Sequence, residues 1–203
     1  TLERASSAVA NFVFPGLDSE KTKLKGLYST DGLNKFMNQF NNNKNLILKL
    51  INSEIYDNKI SKDDLNNFIK ESENKLLNGL ILNLKYLKQF SVKFYECITN
   101  LNNLFDNKDG ASTSFVYSNL VKAGGIELFA ECLKENGYLE FNEDPRSYNI
   151  EDHVMDAITG KTFKEFKKGK SDLSLFYPAT FILITGGGDE GEDLPEIKQK
   201  IIR

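Results

Sequence analysis

The chain has 203 residues, 40% of them apolar and 27% charged, enough to build a packed core unaided and a balance that excludes wholesale disorder or a fibrous repeat. Its 26 basic and 29 acidic residues give a net charge of -3, which excludes a uniformly basic nucleic-acid coat; any polyanion must be met by a local patch. Two cysteines, Cys97 and Cys132, and a single histidine, His153, cannot assemble the four ligands of a structural zinc site. No apolar run approaches the roughly 20 residues needed to cross a bilayer, and no secretory signal is present, so an intracellular, reducing setting is expected. The 22 asparagines and 23 lysines fit AT-rich coding and carry no mechanistic weight. Thr1 at the start, and a helical pattern still running at Arg203, predict a fragment, a processed product or an excised domain.

Arg4 to Pro15 reads as a polar start and an extended apolar run closed by Pro15 and Gly16, an opening strand or linker over 1–16. From Asp31 to Leu87 apolar residues recur at spacings of three and four: Phe36, Phe40, Leu46, Ile47 and Leu50, then Leu65, Ile69, Leu76, Leu80 and Leu84. This predicts a helical insertion over 17–87, with a helix start near Lys62 marked by Ser61 and Asp64 in capping-box spacing. A further helix is predicted over Ser91 to Phe105, with Phe94, Ile98, Leu101 and Phe105 on one stripe, ending in the turn Asp106 to Gly110.

Beyond that the periodicity changes. Ser114 to Leu120 (SFVYSNL) reads as a short strand, Lys122 to Gly125 (KAGG) as a turn, and Ile126 to Asn136 as an amphipathic helix stopped by Gly137. Tyr138 to Phe141 then reads as a second strand. The economical form of such a unit is a right-handed crossover in a parallel sheet. A charged excursion over 142–174 leads to Ala179 to Thr185 (ATFILIT), read as a buried strand ended by Gly186 to Gly188. A last helix is signalled by Asp193, Pro195 and Glu196. The predicted fold class is α/β: a partial parallel sheet over 88–203 carrying a mostly α-helical insertion.

Three constellations could carry chemistry. The strand-turn-helix at KAGG places Ser118, Asn119, Lys122 and the amides of Gly124 and Gly125 at a strand's carboxyl end, where ligands bind in open α/β sheets and where a helix N-terminus favours anions; the alternative is a tight connection that merely needs glycine. Thr185 and Gly186 end the next strand in the same way. The acidic run Asp189, Glu190, Glu192 and Asp193 repels polyanions from the far side of that loop. Lys161 to Lys170 (KTFKEFKKGK) carries five lysines and one glutamate, making Lys161, Lys164, Lys167 and Lys168 the candidate polyanion patch or, alternatively, a solvated loop. His153 lacks a partner nucleophile, the cysteines sit on core faces, and no G-x-x-x-x-G-K-[ST] loop occurs.

The order FVYSN, KAGGIELFAECLKENGY and FILITGG resembles the second RecA-like lobe of superfamily 2 helicases and SNF2-type translocases. The nearest flavour is that of large nucleocytoplasmic DNA viruses, with their nucleoside triphosphatase I and early transcription factor small-subunit types. There a segment like ANFVFP precedes a helical insertion, and a Ser-x-Lys like Ser91-Val92-Lys93 leads into motif IV, here FVYSN. The resemblance implies an ATP- and Mg2+-dependent motor whose partners are DNA or RNA, its own first RecA-like lobe and viral RNA polymerase or other transcription proteins, without a membrane, in a virion or cytoplasmic viral factory. Carried over by position, Ser118, Asn119, Gly124 and Gly125 would lie near the strand, and Thr185 and Gly186 would make a backbone contact. The sequence departs from the family in lacking the first lobe with its phosphate loop and acidic metal-binding motif, so the resemblance implies no ATP hydrolysis by this chain alone. The alternative reading is a non-enzymatic interaction module of a transcription complex built on a degenerate lobe of this kind.

Overall fold

The end of the opening apolar run begins a hairpin with the residues that follow it; the expected strand or linker before Asn11 lies outside the described residues. In the computed structural model, which describes residues 11–55, 59–72, 75–105, 113–169 and 172–185, β1 (Phe14–Leu17) pairs antiparallel with β2 (Leu24–Leu27), Phe14 facing Leu27. Pro15 and Gly16, expected to close the strand, lie inside it. Proline is tolerated because a hairpin strand has a free edge. Glycine leaves room for side chains from both sides: a Cβ there would sit 2.8 Å from Gln39 Oε1 and 2.3 Å from Leu27 Cδ1. The Gln39 amide occupies that space, accepting from the Leu17 N–H at 2.8 Å and donating to the Leu17 carbonyl at 3.3 Å, so a helical side chain completes the edge of the strand.

That helix, α1 (Ser29–Glu54), buries Leu33, Phe36, Met37, Phe40, Ile47, Leu48 and Ile51 along the expected face. It kinks at Asn43 (φ -139°, ψ 35°), whose side-chain amide donates to the Gln39 carbonyl at 3.1 Å; asparagine competing for backbone carbonyls is a known cause of such bends. The second half of the expected helical insertion departs from expectation. α2 (Lys62–Leu65) does start at the predicted cap, the Ser61 hydroxyl accepting from the Asp64 N–H at 3.1 Å, but it lasts one turn. An antiparallel hairpin of β3 (Lys70–Glu71) and β4 (Leu77–Asn78) follows, then a 3-10 turn over Leu80–Leu82 and α3 (Leu84–Leu87). Gly79, at φ +99°, breaks any continuous helix. Of the stripe expected in this half only Ile69 is buried; Leu65, Leu76, Leu80 and Leu84 are half-buried, and Leu77, Ile81, Leu82 and Leu87 fill the core instead, because short elements replace the one long helix.

α4 (Val92–Asn102) starts where predicted, with the Ser91 hydroxyl accepting from the Phe94 N–H at 3.0 Å and donating to the Asn11 carbonyl. α5 (Ile126–Glu135) buries Leu128, Phe129, Ala130, Cys132 and Leu133, and ends at Gly137, whose φ of +92° suits glycine. β5 (Leu139–Glu140) runs parallel to β6 (Thr180–Phe181), giving an α/β fold. The parallel partners differ from those expected. Ser114 to Leu120 forms no strand, and the crossover runs instead from β5 through the excursion, which contains α6 (Phe163–Lys168), into β6. β6 is also shorter than the expected buried strand over 179–185, with Thr180 exposed, Phe181 half-buried and Ile184 beyond its end 38% accessible; β5 is its one strand partner among the described residues.

One buried cluster runs from Phe12 to Ala179, so the helical insertion and the α/β part share a core; it includes the edge-to-face pairs Phe94–Phe129 (5.1 Å) and Phe68–Tyr86 (5.0 Å). Two polar ties from α5 fix the β4–α3 segment against it. Asn136 accepts from the Leu84 N–H at 2.8 Å and donates to the Leu82 carbonyl at 2.9 Å. The buried Glu131 accepts from Asn78 at 2.7 Å and from Lys134 at 3.1 Å. No helix among the described residues is long and apolar enough to cross a membrane. The turn Asp106 to Gly110, the glycines 186–188 and the helix predicted after Asp193 lie outside the described residues.

Candidate nucleic-acid interface

Residues 115–120 alternate between outward and inward positions although they pair with no strand among the described residues. Phe115, Tyr117 and Asn119 face solvent, while Val116, Ser118 and Leu120 are half-buried. The period of two is that of a strand lying on a core with its other face open. At Ser118 the hydroxyl accepts from the Leu120 N–H at 3.1 Å and donates to the Leu120 carbonyl at 2.9 Å, a local turn that turns the chain towards α5.

The KAGG turn then packs back onto that segment. Ala123 sits at φ +54°, the Gly125 N–H donates to the Lys122 carbonyl at 3.0 Å, and the Ile126 and Glu127 N–H groups donate to Leu120 and Val121 carbonyls at 2.9 and 3.0 Å. A Cβ on Gly125 would lie 2.3 Å from the Leu120 carbonyl oxygen. Gly124 and Gly125 are buried. The expectation of exposed glycine amides is therefore corrected: glycine is needed for backbone-on-backbone approach, and the first turn of α5 spends its N–H groups on the preceding segment.

What remains open is a groove of about 310 Å³ between this segment, α4 and the N-terminal end of α5. Ser118, Asn119 and Gly125 line it together with Tyr117, Asn11 and Lys93 over a floor that includes Phe94, Cys97 and Phe129. Lys93 is the one charged side chain in this lining; its ammonium lies 3.5 Å from Asn11 Oδ1 and makes no ion pair among the described residues. Burial pushes the Cys97 thiol above its ordinary value, so the floor adds no negative charge. Lys122 is exposed at the neighbouring turn. Lys93 and Asn11 were not among the predicted contacts. The spacing that buries Phe94 and Ile98 on α4 leaves Lys93 on the flank, a signal available in the sequence, whereas Asn11 falls in the ANFVFP segment without any feature that singles it out.

The other predicted residues lie elsewhere. Thr185 is half-buried beyond β6 and does not line the groove; Gly186 lies outside the described residues. The lysine-rich stretch is a helix rather than a loop, because Thr162 and Glu165 form a reciprocal capping box at the start of α6 (2.8 and 3.3 Å). Lys167 is already engaged, 2.6 Å from Asp152 and 4.6 Å from the Phe163 ring centroid; its hydrogen bond holds the Asp152 carboxyl below the usual carboxylate range. Lys161, Lys164 and Lys168 are exposed and make no ion pair among the described residues. Gly137, at the carboxyl end of α5, packs on His153 and Met155, next to the start of α6. The groove and the α6 lysines thus flank opposite ends of α5, a helix about 15 Å long.

Gly160-Lys161-Thr162 repeats the last three residues of a phosphate loop, but Met155 stands where the motif needs its first glycine. The turn's amides are also committed: Gly160 N–H to the Asp156 carbonyl at 2.8 Å, Lys161 N–H to Thr159 Oγ1 at 3.3 Å and Thr162 N–H to Glu165 Oε2. It cannot cradle a phosphate as it stands. His153 is exposed, 3.5 Å from Glu151, and no cluster of metal-ligating side chains occurs among the described residues.

No protein-family model matches the chain, and no solved structure matches it. Over its whole length, in 207 aligned positions, the chain is 36% identical to a protein of Acanthamoeba polyphaga mimivirus named "Putative ATP-dependent RNA helicase", and it spans 18% of the length of that relative.

Proposed function

We propose that this chain is part of an ATP-dependent nucleic-acid motor of viral type, and that it supplies contacts to the backbone of a single strand rather than the nucleotide phosphate loop. The observation that carries the reading is the end-to-end similarity to the mimivirus helicase. The groove supports it: Lys93, Asn11, Asn119 and the turn at Ser118 lie together at one end of α5, and Lys122 adds a second exposed cation nearby. In this reading residues 88–203 form a second RecA-like lobe, SNF2-like in type, with Ser118, Asn119, Gly124 and Gly125 shaping the groove and Thr185 and Gly186 ending the adjacent strand. Lys161, Lys164 and Lys168 form a further phosphate patch at the other end of α5, which Lys167 joins by exchanging its Asp152 partner for a phosphate. ATP and Mg2+ are held by a first lobe of the intact protein, and lobe closure on ATP displaces the groove along the strand. RNA is the partner favoured by the relative's name, with viral transcription as the setting.

The test is titration of this chain with a labelled 15-nucleotide RNA at increasing salt. Affinity that falls with salt is expected, since phosphate contacts release counterions; no binding in low salt would remove the reading. ATPase turnover of the intact protein, with and without RNA, tests the motor itself. A second reading, a docking module of a transcription complex, draws on one observation: Leu173, Leu175 and Tyr177 are each more than half exposed in consecutive alternate positions.

A further inference from the structure

The geometry points to Tyr117 as a base-stacking side chain that orders single-stranded nucleic acid in the groove, with Phe115 as a second platform two positions away. This rests on the nucleic-acid reading of the groove and adds base contacts to it. Tyr117 lines the groove yet is 77% exposed, and Phe115 is 86% exposed. Neither ring makes an aromatic, cation–π or hydrogen-bonded contact among the described residues, unlike Tyr86 and Tyr138, whose hydroxyls bond Asp64 and Asn102. Both rings are therefore open to a partner on the outward side of an alternating segment whose inward residues anchor it. The company they keep favours nucleic acid over protein. Lys93, Asn11 and Asn119 line the same groove as Tyr117, whereas the buried centre of a protein interface is depleted of lysine. A lysine beside an exposed aromatic ring is the pairing by which non-specific single-strand sites hold a phosphate and stack the adjacent base. Stacking tolerates any base, so the site would be sequence-neutral.

The chain contains no tryptophan, so Tyr117→Trp introduces a single reporter. Its fluorescence is expected to be quenched on titration with a 15-nucleotide oligouridylate and to remain unquenched with an abasic strand of equal length. Tyr117→Ala is expected to weaken oligouridylate binding by about 5- to 150-fold, the range of aromatic–base stacking, and to leave abasic binding unchanged; Tyr117→Phe keeps wild-type affinity. Lys93→Ala weakens both strands alike. Melting of each variant checks the fold, and the tryptophan reporter decides the matter if the alanine variant melts early. Equal losses on both strands for Tyr117→Ala, or an unquenched tryptophan on a bound oligouridylate, overturns stacking while leaving the backbone reading intact. Absence of binding to either strand by the unaltered chain overturns both.

Discussion

Replacing Gly125 with alanine tests whether the KAGG glycines exist for packing or for a ligand. The backbone at 125 (φ -100°, ψ -156°) is open to any residue, so the substitution introduces no conformational strain. The obstacle is purely steric: the new Cβ would stand 2.3 Å from the Leu120 carbonyl oxygen, 2.4 Å from its carbon and 2.7 Å from the Val121 carbonyl carbon. None of these is a flexible side-chain tip. Relief requires the segment and helix to separate by about 1 Å, which strains the Ile126–Leu120 and Glu127–Val121 hydrogen bonds at 2.9 and 3.0 Å. Overpacking costs roughly 1–3 kcal/mol, and weakened hydrogen bonds add about 1 kcal/mol, so a loss of about 2–4 kcal/mol is expected. In a chain of this size that lowers the melting midpoint by about 4–16 °C. Thermal and urea denaturation followed by circular dichroism measure it. A Gly125→Ala variant as stable as the parent but deficient in RNA binding would refute the packing argument.

Asn136→Ala removes three hydrogen bonds at once, to Leu82, Leu84 and Cys132, and leaves partly buried backbone groups unpaired; a loss of roughly 1–3 kcal/mol in urea denaturation is expected. Phe94→Ala, which empties the floor of the groove and the contact with Phe129, should cost roughly 3–5 kcal/mol. The Lys85 ammonium, followed by the Tyr86 hydroxyl, holds the Asp64 carboxyl below its ordinary value. Because its folded value is depressed, Asp64 contributes stability in full above the ordinary carboxylate range and loses it as pH falls through the depressed value. Asp64→Asn should therefore flatten the acid limb of a stability–pH profile, and an unchanged limb would show that the pair contributes nothing.

The parts of the fold visible in the sequence were those where local chemistry and burial agree. α1, α4 and α5 each have a clear apolar face, and Ser61, Ser91 and Gly137 mark ends that the structure uses. The β3–β4 hairpin was hidden because Ile69, Leu76 and Leu80 keep helical spacing while Gly79 alone signals the break. Ser114 to Leu120 has strand alternation, and the structure keeps it, yet the pairing that defines a sheet depends on distant residues that spacing cannot reveal. At the site, Ser118, Asn119 and Gly125 were legible from strand-turn-helix punctuation. The role of Gly125 was not, since the oxygen it must avoid belongs to Leu120, five residues back. The flank position of Lys93 on α4 was available from the spacing of Phe94 and Ile98, but its place in the groove lining follows from the packing of α4 beneath the segment.

Placement of a nucleic-acid strand in the groove is read by the salt dependence of RNA binding by the unaltered chain, Lys93→Ala, Lys122→Ala and the double variant. Each phosphate contact to a single strand contributes about 0.7 to the slope of log affinity against log salt, so each single variant should flatten the slope by about 0.7 and the double variant by about 1.4. The quadruple change of Lys161, Lys164, Lys167 and Lys168 to alanine, run alongside, reads the α6 patch separately. Binding whose salt slope is the same in the unaltered chain and in the Lys93→Ala, Lys122→Ala double variant would contradict the placement of the strand in this groove.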